Sequence, residues 1–106
     1  MKTYIVYQFS RELMDEKEKN IATDIIFSPS SERIMQLWQH YNPVMLITAK
    51  RLDEVFEIGN IGPSTNVQKL TDRAHSVSVG DVIGELNSQH CRRFYVDNVG
   101  FGEVSI

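Results

Sequence analysis

The chain has 106 residues, 42% of them hydrophobic and 24% charged, which is the balance of one soluble globular domain and is too short for a nucleotide fold joined to a substrate domain. Its formal charge of −3 is spread along both halves, so neither half carries the basic block of a strong nucleic-acid binder. A single cysteine, Cys91, excludes an internal disulfide scaffold and makes the reducing cytoplasm the expected compartment.

The N-terminal residues lack the long apolar core of a signal peptide, and no apolar run approaches the roughly 20 residues of a membrane span. No membrane partner is expected. Neither internal repeats nor low-complexity tracts occur, and residues 1–106 read as one domain.

Residues 3–9 are β-branched and aromatic and predict an opening strand. Apolar residues sit at both parities (Ile5, Tyr7 and Phe9 against Tyr4 and Val6), as in a central strand covered on both faces. Residues 11–20 are almost all polar and read as a solvated connection or a short helix capped by Ser10. Residues 21–27, rich in isoleucine, predict a second strand.

Ser28-Pro29 reads as a helix start, with serine as the cap and proline at the first helical position. Ile34, Leu37, Trp38 and Tyr41 then make one apolar stripe, and Asn42-Pro43 ends the helix. Trp38 and Tyr41 are expected in the core, with anchoring of a partner as their alternative role.

Val44–Ala49 predicts a buried strand, and Leu52, Val55 and Phe56 a short helix with Gly59 near its end. Residues 60–66 are turn-rich. Residues 76–79 and 82–86 predict two strands about the Gly80-Asp81 bend. Asn87-Ser88 begins a hairpin turn, and strands follow over 93–97 and 99–104. The expected fold is α+β: an antiparallel or mixed β-sheet with two or three helices packed on one face.

Three groups of residues carry polar chemistry. His75, Asp81 and Asp97 would support acid–base catalysis if they converged, but no catalytic spacing links them, and a turn role for Asp81 and Asp97 is favoured. His90-Cys91 lacks the spacing of a zinc site, and neighbours on a strand face opposite ways. Arg92 and Arg93 beside Phe94-Tyr95 suggest phosphate contact with stacking on Tyr95, although alternation separates the two arginines. The glycines form no phosphate loop, so neither cofactor nor metal is expected.

Leu52-Asp-Glu-Val-Phe56, Asn60, Pro63, His75-Ser-Val-Ser-Val-Gly-Asp-Val-Ile83 and Phe94-Tyr-Val-Asp-Asn-Val-Gly-Phe101 follow one another in an order that resembles the YodL-like domain of bacterial, plasmid and phage accessory proteins. The resemblance covers residues 52–104, about half the chain. It differs in a longer stretch over 61–74 and in Asn98-Val99 where the family has Ser-Phe.

His75, Ser76, Ser78, Asp81, Tyr95 and Asp97 match its motifs, as structural residues or a ligand face. The family implies a mobile-element setting and no catalytic residues. The expectation is therefore a non-enzymatic accessory protein that binds a host protein, in its sharpest form a defence nuclease or nucleoprotein complex, as an anti-CRISPR or anti-restriction inhibitor would. The acidic residues Glu12, Asp15, Glu16 and Glu18 would occupy a basic channel. The alternatives are a nucleic-acid-binding module using Arg92, Arg93 and Tyr95, and a small enzyme using His75 with Asp81 or Asp97. Exposed edge strands would allow a dimer.

Overall fold

The structure is a computed structural model describing residues 1–61, 64–86 and 92–104. The opening strand β1 spans Lys2–Phe9 and lies in the middle of the sheet. Its neighbours are β2 (Tyr41–Ala49) and β4 (Val82–Glu85), both antiparallel to it. A short edge strand β3 (Val67–Lys69) pairs with β2; β5 (Arg93–Val96) and β6 (Phe101–Val104) extend the other side. The order is β3-β2-β1-β4-β5-β6, antiparallel throughout.

Alternation along β1 feeds two cores, as its mixed parity predicts. Tyr4 and Val6 pack with Ile47, Ile83 and Val96 and with Val55 of helix α3 (Leu52–Ile61). Tyr7 and Phe9 point the opposite way, toward Val82 and Val104, and are covered by α1 (Glu16–Phe27) and α2 (Ser31–Gln36). Two helices thus share one face, and the third covers the other. Full burial of side chains such as Val6 and Ile83 contributes roughly 1.5–3 kcal/mol each.

Residues 21–27 are helical, not a strand. Asp15 accepts from the Glu18 N–H while the Glu18 carboxylate accepts from the Asp15 N–H, a capping box that starts α1. The isoleucine-rich run then continues this helix, burying Ala22 and Ile25 against the sheet. Tertiary packing and the cap outweigh the β-propensity of the isoleucines.

Helix α2 is shorter than its apolar stripe predicts, and its cap is Ser30, whose hydroxyl accepts from the Arg33 N–H, rather than Ser28. A 3-10 turn over Trp38–His40 follows, and Tyr41 already belongs to β2. Pro43 lies inside that strand. Val6 pairs with Met45 and Tyr7 with Pro43, which leaves Val44 as the extra residue of a bulge. A proline is tolerated at such an irregularity.

The predicted strand over 76–79 is absent; this segment is irregular and packs through Val77. A Cβ on Gly59 would overlap the Val77 side chain, so the missing side chain lets α3 and this segment approach. The hairpin start at Asn87-Ser88 lies outside the described residues, as do His90 and Cys91.

Candidate functional site

Among the predicted site residues, His75, Ser78 and Asp81 come together. They line a cleft of about 380 Å³ with Phe9, Arg11, Ile26 and Val79. Behind it lies a buried polar network. The Gln8 amide, from the centre of β1, donates to Asp81 Oδ2 at 2.9 Å and to the His75 carbonyl at 2.9 Å. Its own oxygen accepts from the His75 N–H at 3.2 Å. Asp81 Oδ2 also accepts from the Ser78 N–H at 2.9 Å, closing a tight turn in which the Asp81 N–H donates to the Ser78 carbonyl.

Burial raises the Asp81 carboxyl to about 6, against hydrogen bonds from the Ser78 backbone and Gln8 and the pull of His75. The Tyr41 hydroxyl donates to the Gly80 carbonyl at 2.7 Å, and burial beside Asp81 pushes its ionisation upward.

These bonds run to the chain's own backbone. His75 Nδ1 meets the Ser76 carbonyl at 2.8 Å, the Ser78 hydroxyl donates to that same carbonyl at 2.8 Å, and Ser76 joins the network through its backbone oxygen. Among the described residues no hydrogen bond joins the His75 ring to Asp81: the ring meets the Ser76 carbonyl, and the carboxylate accepts from Gln8 and the Ser78 N–H. Asp97 lies elsewhere, where its carboxylate accepts from the Asn98 N–H in the β5–β6 turn. Among the described residues no three His, Cys, Asp or Glu side chains gather as metal ligands.

The two arginines face apart. Arg92 pairs with Glu103 at 2.9 Å and stacks on Phe94 on the α3 side of the sheet, whereas Arg93 lies over Trp38 on the other. Tyr95 lies over Gly102 and beside Val82 and Val104. Trp38 is half-buried between Tyr7 and Tyr41, at ring separations of 5.1 and 5.3 Å, while Tyr41 belongs to the core.

The acidic segment is largely engaged within the chain. Asp15 and Glu18 form the α1 cap, Glu18 also meets His40 at 2.8 Å, and Glu12 pairs with Arg73 at 2.9 Å. The Asp15 backbone N–H and then His40 hold the Glu18 carboxyl below its usual range. Glu16 sits in the first turn of α1, where a negative charge suits the helix dipole.

The sequence reading missed a surface at the end of the sheet that carries the β5–β6 turn. That turn is closed by the Asp97 N–H donating to the Gly100 carbonyl, with Gly100 at φ +73°. It holds Val99 outward, 92% exposed. The Asn98 amide donates to the Phe27 carbonyl at the end of α1, and Phe27 is 74% exposed. On the α3 side of the turn a groove of about 250 Å³ is lined by Phe56, Val96 and Phe101 with Asp53 and Asp97 at its edge. The available signal was a valine at the tip of an Asp-Asn-Val-Gly turn, a position that polar residues usually occupy.

No helix is long and apolar enough to cross a membrane among the described residues. No known protein family, curated protein or solved structure matches the chain.

Proposed function

We propose that this protein acts by binding another protein through the apolar end formed by Phe27, Val99 and the Phe56–Phe101 groove. The carrying observation is that three separate elements bring exposed apolar side chains to one end, beside a hydrogen-bonded turn. Single exposed apolar residues are ordinary, but a gathering of them beside a groove marks an interaction surface. Binding there requires no reaction, and the His75–Asp81 cleft has its hydrogen bonds directed to the fold itself.

The resemblance of residues 52–104 to YodL-like accessory proteins gives the reading its finer form: a mobile-element protein that engages a host protein, a defence nuclease among the candidates. The contact surface in this proposal is the apolar end rather than the acidic segment, whose carboxylates largely serve the α1 cap and ion pairs.

The test is capture from host lysate, with and without nuclease treatment, using the wild type, Phe27→Ser combined with Val99→Asp, and Arg92→Glu. A stoichiometric protein held by the wild type and Arg92→Glu, and lost with the double variant, is the expected result. Retention by the double variant would overturn the assignment of the surface. Capture that depends on nucleic acid and fails with Arg92→Glu would transfer the function to the arginines.

A further inference from the structure

The cleft beside Phe9 has no part in the protein-binding surface, yet it carries a cation that pairs with no carboxylate among the described residues. Arg11 lines it, and its guanidinium stacks on the Phe9 ring at 5.2 Å. Phe9 is itself held by an edge contact with Tyr41 at 5.5 Å. Among the described residues no carboxylate pairs with Arg11. In a chain with 14 acidic against 11 basic side chains, a guanidinium held on a ring and left unpaired at a cleft wall is a prepared anion contact.

The surroundings extend the site. Phe9 and His75 also form a wall of a second cleft of about 380 Å³, which Arg73 lines. Arg73 is paired with Glu12, but both side chains are about two-thirds exposed, and such a pair is worth little and exchanges readily. The negative charges nearby are Glu12, at the rim, and Asp81, buried at the base and committed to Gln8 and Ser78. Ile26 and Val79 supply apolar wall beside Arg11. The volume falls within the range of small-molecule sites, which combine apolar walls with a few polar groups.

We infer that this cleft binds a small organic oxyanion, a phosphate or carboxylate, with its charged head on Arg11 beside His75 and its apolar body against Ile26 and Val79.

The test is an amide NMR titration of the full chain with phenyl phosphate and, separately, benzoate at pH 7 and physiological salt. The expected result is saturable shifts confined to residues lining the two clefts, with a Kd at or below about 1 mM for at least one probe. The tighter probe identifies the head group. Arg11→Gln should weaken binding at least tenfold, and Ile26→Glu, which places a like charge in the wall, should do the same. Arg51→Gln, remote from the cleft, should leave binding unchanged. Absence of saturation with both probes, or shifts spread over the surface arginines and indifferent to Arg11→Gln, would overturn the site.

Discussion

Gln8 and Asp81, 73 residues apart in the chain, share a buried hydrogen bond of 2.9 Å that ties the central strand to the turn entering β4. Both residues are almost wholly removed from solvent. The same Gln8 amide group also donates to and accepts from the backbone of His75, so one side chain holds the irregular 75–81 segment against the sheet.

That arrangement makes stability pH-dependent with a defined sign. The Asp81 carboxyl is raised from 3.8 to about 6, so the folded state holds this proton more tightly than the unfolded chain. Stability from this group therefore rises as pH falls from about 6 toward the ordinary carboxylate range. Glu18, lowered by its cap and His40, contributes in the opposite sense and loses its contribution as the pH falls through its depressed value. Asp81→Asn isolates the first effect. Urea unfolding from pH 4 to 7.5 should show the wild type gaining on the variant as pH falls; parallel curves would refute the assignment.

Gly102 is the cross-strand partner of Tyr95, and a Cβ at that position would overlap the tyrosine ring. Gly102→Ala should cost about 1–3 kcal/mol by overpacking. In the Tyr95→Ala background the same change should be nearly neutral, with a coupling of at least about 1 kcal/mol in a double-mutant cycle. Equal costs in both backgrounds would show that backbone freedom, not the ring, requires the glycine.

The helix caps separate two serines two residues apart. Ser30 accepts from the Arg33 N–H and caps α2, so Ser30→Ala should cost about 1 kcal/mol. Ser28 offers its carbonyl to the Arg33 guanidinium, a bond that alanine keeps, so Ser28→Ala should stay within about 0.5 kcal/mol of the wild type. Asp15→Ala should cost about 0.5–2 kcal/mol through the lost α1 cap. Chemical denaturation of the three variants checks the ranking.

Phe27→Ser with Val99→Asp should leave the midpoint of unfolding nearly unchanged, because both side chains lie in solvent. A large loss of stability would mean that this end serves the fold, and capture experiments with the double variant would then report unfolding.

The strands were legible where their alternation or apolar run was strong: β1 with its two apolar parities, most of β2, and β4 to β6. Helix α1 was not, because its isoleucines favour strands locally and the capping box begins within a run of charges. Edge strand β3 is only three residues long, two of them polar, with no periodic signal. The convergence of His75 with Asp81 runs through Gln8, which bonds to both, and the turn role favoured for Asp81 matches its bond to Ser78. Neither Gln8 nor Arg11 carries a local signal. Gln8 acquires its buried partners across 67 and 73 residues, and Arg11 meets the cleft only after Phe9 is fixed by Tyr41. Long-range packing of this kind leaves no short-range pattern to read.

The strand order divides the sheet where the chain divides. Strands β3-β2-β1 all precede residue 70, strands β4-β5-β6 all follow residue 81, and among the described residues the two sets of strands pair along the β1–β4 seam alone. A peptide-bond cut in the irregular segment between them would sever no strand. The seam that joins the fragments is four residue pairs long, Tyr4–Tyr7 against Val82–Glu85, and the cut protein should rejoin along it by strand addition, the mode by which sheet edges capture extended partners. The Gln8–Asp81 bond crosses the same division, so rejoining would also restore a buried polar contact between the fragments.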